Sequence, residues 1–501
     1  MRQITNSKQN KPNASQTNCV ISSIGRSSLH QEWTGGICEF DLHLLIYDES
    51  MKETSLGTPF VSRQKGYKLK NVYKYLKDNP WILDKYDYFF IPDDDLLMDS
   101  EKINRLFHLM RQYKLRIAQP SLTHSYFLWG HTLHDPYCKL RYTNYVEMMA
   151  PCFSKDALQE VLFTFNENET GWGTEAHWAS LINSNKTDMA VIDELSIVHT
   201  RPIQSGQQLH RKEAAEYLRK HRVVLQVEEY GYIPIQSTDY LIDRDTFWRL
   251  VNHIKATMCK ISTCQSLGMD GHCGLLYSLV QLSHLTQARL YEDKALDILH
   301  TVAPFIGRLK DKLLFENGIT GCCWLIEKLV ADGVLKEDAD RILEDVDGFL
   351  DGYVECHSEE MPLLDILGIG KYWLYKAKCQ GTTTYKKKFQ RLLKPLIKSL
   401  SHGDIECESL LDAIKLLKVY EMDTAFLVVR TRELLEKGMF TQVEHAYVLF
   451  QLYLLEEEPD LRLAMRKELN EFSSENLTLR EILMLEEILA YNLKGIDETK
   501  I

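Results

Sequence analysis

Residues 86–95 read Tyr-Asp-Tyr-Phe-Phe-Ile-Pro-Asp-Asp-Asp, and this stretch decides how the first half of the chain is read. The run Tyr86–Ile91 is largely aromatic and ends in a β-branched residue, as a buried strand does, and Pro92 stops it. Asp93, Asp94 and Asp95 follow at once. Like charges within a few ångströms raise one another's pKa unless a cation compensates them. A hard divalent ion, Mg²⁺ or Mn²⁺, held by one or two carboxylates and by phosphate oxygens is the natural compensator. The bland reading is an acidic turn that caps a helix starting near Glu101. The buried strand directly before the cluster favours the cation.

On either side of this stretch short apolar runs alternate with helical patterns, which points to an α/β fold. Strands are expected at Cys19–Ile24, Phe40–Tyr47, Arg116–Gln119, Tyr145–Phe153 and Met189–Val198, with helices at Ile103–Tyr113 and Lys155–Phe163. Polar groups gather where these strands end, and open α/β sheets bind ligands at the C-terminal ends of their strands. After about Val223 the pattern changes, and from Asp243 onward the chain reads as amphipathic helices with short loops. Gly271-His272-Cys273-Gly274, Gly318-Ile319-Thr320-Gly321 and Gly368-Ile369-Gly370 each open an apolar helical run. They stand about 50 residues apart, a length that suits one helical hairpin per repeat. Leu410–Tyr420 and Ala446–Leu455 read as glycine-free copies. Repeated hairpins bury their apolar faces by stacking or by closing into a ring, and the small-residue turns favour a closed α/α toroid.

The 501 residues exceed one ordinary core, so two domains are expected: a disordered N-terminus at 1–17, an α/β domain at 18–230 and a helical domain at 240–501. The formal charge of −12 argues against broad contact with nucleic acid or an anionic membrane. No apolar run is long enough to span a membrane, and the polar first residues carry no signal peptide. Twelve cysteines without a secretory signal read as free thiols in the cytoplasm.

Candidate site residues sit around the acidic cluster. In Gly171-Trp172-Gly173-Thr174-Glu175 two glycines let backbone approach a ligand, Trp172 offers a stacking platform, and Glu175 opens a helix where it can act as a base. A plain N-terminal turn, with Glu175 stabilised by the helix dipole, is the competing reading. His199 ends the last strand, where a lone histidine is either a plain hydrogen-bonded residue or a ligand to a metal shared with Asp93 and Asp95. Two residues on, Arg201 offers a fork for phosphate. Arg63, Lys65 and Lys68 form a basic run that either binds a diphosphate or is merely solvated, and Asn71 follows it. Arg26 and Asp48 lie just past the first two strands.

The order SSIGRSSLH, RQKGYK, YDYFFIPDDD, RIAQPSLT, RYTNYVEMMAPCFSKDAL, GWGTE and IVHTRPI resembles a bacterial domain family long labelled as of unknown function, itself similar to GT-A glycosyltransferases. The resemblance covers roughly residues 18–205. It implies that Asp93 and Asp95 form a DxD motif engaging metal, ribose and diphosphate, and that His199 completes the metal site. It further implies that Glu175 is the base on the acceptor side. The second half resembles, more weakly and over about residues 240–495, the α/α toroid of lanthionine synthetase cyclases. The late WCxG-like and CHG-like zinc motifs of that family do not occur here. Cys322 and Cys323 are adjacent on a helix and point about 100° apart, a poor pair for one metal.

The expected function is transfer of a sugar from a UDP- or GDP-linked donor, with Mn²⁺ or Mg²⁺. Arg26, Asp48, Arg63, Lys65, Lys68, Asp93, Asp94, Trp172, Gly173 and Arg201 would bind substrate, and the helical half would present a glycan or peptide acceptor. The alternatives are a non-catalytic scaffold with two degenerate domains, or a zinc-dependent cyclase-like activity in the helical half.

Overall fold

The structure is a computed structural model; it describes residues 16–49, 57–127, 129–182, 184–202, 207–236, 240–261, 266–306, 309, 312–357, 360–380, 383–401, 405–419, 422–437, 440–473 and 476–497. The expected disordered segment 1–17 therefore lies almost wholly outside the described residues. The chain divides into two compact units, one running to Gln236 with Gln287–Arg289, the other holding the remainder.

The first unit is built on one mixed ten-stranded sheet. Its strands are β1 (Asn18–Ile24), β2 (Asp41–Ile46), β3 (Phe60–Arg63), β4 (Tyr88–Phe90), β5 (Leu96–Leu97), β6 (Ile117–Leu122), β7 (Cys138–Thr143), β8 (Cys152–Ser154), β9 (Met189–His199) and β10 (Glu229–Pro234). The spatial order is β10-β7-β9-β6-β8-β4-β1-β2-β3, with the short β5 paired to β9. β1, β2, β3 and β4 run parallel. β8 runs against both β4 and β6, which makes β6 parallel to β4, and β9 is parallel to β6. The C-terminal ends of β1, β2, β3, β4, β6 and β9 therefore share one edge of the sheet.

Helices α1 (Lys68–Asp78), α2 (Trp81–Lys85), α3 (Ser100–Gln112), α4 (Lys155–Val161), α5 (Glu175–Leu181) and α6 (Gln207–His221) complete this unit. Under the sheet, Phe89, Ile91, Val72, Leu76, Phe153 and Trp178 share one core. The Trp178 ring packs 5.1 Å from Phe153 and 6.1 Å from Phe165. Rings of this size contribute roughly 1.5–3 kcal/mol each when fully buried, so the strand before the acidic cluster is anchored from below.

Sequence and structure differ in several places here. The strand expected at Tyr145–Phe153 is confined to β8, and 144–151 form a turn-containing segment. That segment is buried, so it looks apolar like a strand while pairing with none. β7 and β10 escaped notice because β7 carries Lys139 and Arg141, and β10 is largely exposed with Gly231 and Pro234.

The second unit is all-helical: α7 (Arg244–Met258), α8 (His272–Thr286), α9 (Arg289–Ile306), α10 (Ile319–Ala331), α11 (Ala339–His357), α12 (Leu363–Gln380), α13 (Thr383–Leu400), α14 (Cys407–Lys418), α15 (Ala425–Glu436), α16 (Gln442–Glu456), α17 (Pro459–Glu471) and α18 (Leu479–Asp497). The even-numbered helices from α8 pack each on the next, and α18 packs back on α8. Gly271–Gly274 and Gly318–Gly321 open α8 and α10 as expected. Gly368 and Gly370 do not open a helix; they lie inside α12. A Cβ on Gly370 would stand 2.9 Å from both Leu416 and Phe389, so this glycine serves close helix packing. Among the described residues no helix is long and apolar enough to cross a membrane.

Candidate functional site

After β4 the chain leaves the sheet at Ile91, turns at Asp94 and Asp95, and enters β5. Leu96 then pairs in register with His199 at the end of β9. This pairing delivers Asp95 to His199: the imidazole Nε2 lies 3.3 Å from Asp95 Oδ2. Nδ1 of His199 donates to the Tyr126 carbonyl at 2.8 Å, which aims Nε2 at the carboxylate. Burial works against the charged imidazole, but the hydrogen bond and charge of Asp95 win and raise its pKa. Burial likewise opposes the Asp95 carboxylate, and His199 overcomes it and holds that pKa below the usual value.

Asp95 Oδ1 is buried and has no hydrogen-bond partner. An orphaned carboxylate oxygen beside an imidazole nitrogen suits a divalent cation. Among the described residues no group of three or more His, Cys, Asp and Glu side chains is placed to hold a metal ion on its own. With only these two side chains, an ion here would have to take its other ligands from phosphate and water, as Mg²⁺ usually does.

The three aspartates have three different surroundings. Asp93 faces Lys68, whose Nζ stands 2.6 Å from its Oδ1 and also donates to the carbonyls of Ile91, Met148 and Met149. Lys68, expected to grip a diphosphate, thus holds Asp93 and the 148–149 backbone in place. Asp94 turns the other way. Its Oδ2 accepts from Gly25 N at 2.8 Å and from Tyr47 OH at 3.3 Å, and its Oδ1 accepts from Arg201 at 3.3 Å. Arg201 also donates to the Ser27 carbonyl, so Asp94 and Arg201 tie the loops after β1 and β2 to the acidic turn. Asp48 accepts from Arg26 N at 3.3 Å in the same cluster. The capping reading fails for all three, because α3 is capped by Asp99, which accepts from Lys102 N at 2.8 Å.

The basic run after β3 divides. Arg63 and Lys65 are exposed, and Lys65 pairs with Glu49 at 3.1 Å on the surface. Gly66 takes φ +140°, and Asn71 closes this loop by donating to the Gln64 and Gly66 carbonyls, each at 2.9 Å. Lys68 reaches the acidic cluster.

Gly171 and Gly173 have φ of +83° and +88°, a region open to glycine, and a Cβ on Gly173 would stand 3.0 Å from the Ala214 backbone of α6. The turn presses Trp172 half-buried against His210, with ring centroids 4.9 Å apart. Glu175 is the first residue of α5 and is buried. Its Oε1 accepts from Tyr145 OH at 2.9 Å, and its Oε2 has no partner. Burial raises its pKa against the lowering effect of the helix-start amides and Tyr145.

Sequence reasoning passed over Tyr145 and Glu147, both on the segment mistaken for a strand. Glu147 is buried and accepts from Trp129 N at 3.1 Å. Burial first, and then the charge of Glu175, push its carboxyl up to about 8; His199 and Asp93 also act on it. These mutual influences draw Glu175, Glu147, Asp93 and His199 into one electrostatic neighbourhood. A glutamate inside the apolar run Tyr145–Ala150 was the available signal.

In the helical unit the Cys322 and Cys273 thiols are buried with their sulfurs 3.4 Å apart.

Residues 60–235, about a third of the chain, match a family described as protein of unknown function (DUF707). The match begins later and ends later than the 18–205 expected from the motifs, omitting SSIGRSSLH and reaching past β9 to β10. No curated protein matches the chain.

Proposed function

We propose that the sheet unit is a GT-A-like glycosyltransferase domain that moves a sugar from a UDP- or GDP-linked donor, and that the ring of helices is an α/α toroid presenting a glycan or peptide acceptor. The observation that carries this reading is the pair of buried, unpartnered carboxylate oxygens, Asp95 Oδ1 and Glu175 Oε2, both next to the same group of titratable side chains. One is an open ligand position and the other an open proton acceptor.

Asp95 and His199 would hold Mn²⁺ or Mg²⁺, with Asp93 as the third candidate ligand, at the C-terminal edge where open α/β sheets bind ligands. When bound, such an ion supplies positive charge to a departing diphosphate. Trp172 would give the sugar a flat apolar face. Glu175 would take the proton of the attacking acceptor hydroxyl, and burial, which raises its carboxyl pKa, makes it a stronger base than an exposed glutamate. Asp94, Arg26, Asp48 and Arg201 would shape the loop edge around the nucleoside.

Calorimetric titration with UDP and with GDP, in Mn²⁺ and in chelator, tests the reading. The expected result is metal-dependent binding of one nucleotide that Asp95→Ala removes. Folded protein that binds neither nucleotide in Mn²⁺ sinks it.

A further inference from the structure

The helical unit contains a cavity of about 1000 Å³, lined by residues of all six even-numbered helices from α8 to α18 and of the loops before α8 and α10. This volume lies at the upper end of the ~300–1,000 Å³ typical of small-molecule sites. It belongs to the helical unit alone, and nothing in the sheet unit's chemistry accounts for it.

Aromatic residues form part of its wall. Tyr277, Phe315, Trp324, Tyr375 and Tyr447 line it, each only partly buried. Trp324 is the hub, with the rings of Tyr277, Phe315 and Tyr375 at 5.2, 5.6 and 5.5 Å. Aromatic rings that line a hollow and stay partly exposed are poorly solvated, and a flat C–H face laid on them would be favourable.

Charged residues share this lining with the rings, and several of them are paired. Lys371 contacts Asp412, lies 3.9 Å from Glu316, and sits over the Phe315 ring at 4.5 Å. Arg480 pairs with Glu408. Tyr447 OH donates to Glu487 at 2.7 Å, as does Gln451 at 2.9 Å. Carboxylates fixed in this way keep lone pairs free for hydroxyl donors. The lining carries both signs in near balance, with Lys378, Lys415 and Asp270 completing it. Such a lining gives a polyanion such as a nucleotide no net attraction. An extended peptide finds no sheet edge here, because helices use their own amides and carbonyls internally.

We propose that this cavity is a second ligand site, one that binds a short uncharged oligosaccharide stacked on Trp324 and hydrogen-bonded by Asp412, Glu408 and Glu487. The use of that oligosaccharide as acceptor rests on the glycosyl-transfer reading; the binding itself does not.

The test uses the full chain in chelator, so that a cation-dependent donor site is silent. Maltohexaose, cellohexaose and chitohexaose are titrated by calorimetry. The expected result is binding of at least one with a Kd at or below about 1 mM. Trp324→Ala and, separately, Asp412→Asn weaken it by about tenfold or more while Mn²⁺-dependent nucleotide binding is unchanged. The second variant guards against a packing defect at Trp324. The proposal is overturned by no binding of any of the three sugars, by binding that both variants leave intact, or by capture of a mixed-sequence decapeptide in their place. Loss of nucleotide binding with sugar binding retained would instead remove the donor reading alone.

Discussion

His199 and Asp95 meet because Leu96 pairs with His199 across β5 and β9, which sets the imidazole Nε2 3.3 Å from Asp95 Oδ2. The Tyr126 carbonyl holds Nδ1, so the ring cannot turn away without losing that bond. On the proposed metal-dependent reading, removing the imidazole takes away one of the cation's ligands. His199→Ala is expected to weaken Mn²⁺-supported nucleotide binding by about 100-fold or more, since even outer partners of metal ligands cost 10–100-fold. Calorimetry reads this directly, and binding within a few-fold of the parent protein would exclude His199 from the site.

Asp94 is expected to behave unlike its neighbours. Asp94→Ala leaves the buried Gly25 N–H without its acceptor and Arg201 without its carboxylate. An unsatisfied buried donor costs about 1–3 kcal/mol. Urea unfolding of the sheet unit should shift to lower denaturant by that amount, while Mn²⁺-dependent nucleotide binding falls less than tenfold. A variant of unchanged stability that has lost nucleotide binding would mean that Asp94 contacts the ligand itself.

Much of this site was legible because its signals are local. Tyr86–Ile91 announces a buried strand, and three aspartates directly after it announce a cluster in need of compensation. Sequence could not say which aspartate faces which way, since that depends on Gly25, Tyr47 and Arg201, far away in the chain. Nor could it find Glu147: a buried irregular segment has the composition of a strand, and only the absence of a pairing partner tells them apart. Gly368 and Gly370 misled in a related way. A glycine that ends a helix and one that lets two helices touch look alike in sequence.

Two glycine substitutions should move stability in opposite directions. Gly173 combines φ +88° with the Ala214 backbone 3.0 Å from where a Cβ would stand. Gly173→Ala is expected to cost about 1–3 kcal/mol in strain. Gly348, exposed inside α11 with nothing within 4 Å of an added Cβ, should be stabilised by Gly348→Ala by about 0.5–1 kcal/mol. Denaturant midpoints of the respective units check both. A stabilising Gly173→Ala would show that the turn does not need its left-handed backbone.

The buried Glu147 should make the sheet unit lose stability as pH rises. Its ordinary value is 4.5 and the fold pushes it up to about 8, so the folded form retains a proton that the unfolded chain has released. The cost is absent below about pH 4.5, grows between these two values and is complete above about 8. In chelator, the melting temperature of the sheet unit should fall from pH 5.5 to pH 8. Glu147→Gln, which keeps an oxygen for Trp129 N, should flatten that slope. An unchanged slope in the variant would assign the loss to another group.

Glu175 gives the sharpest separation between binding and chemistry. Its Oε1 is engaged by Tyr145 and its Oε2 is unpartnered, so the second oxygen is the one able to accept a proton. Glu175→Gln preserves the shape and the Tyr145 hydrogen bond but removes the basicity. Sugar transfer, once a donor and acceptor pair is in hand, is expected to fall by about 10²–10⁴-fold with donor Kd unchanged. Tyr145→Phe frees Oε1 and should cost less, about tenfold. The pH profile should rise through a value above 4.5, because burial raises the Glu175 carboxyl. Glu147 beside it makes that value a property of the pair rather than of one residue. A Glu175→Gln variant with full transfer activity would leave the helix-dipole reading of this residue standing and require another group as base.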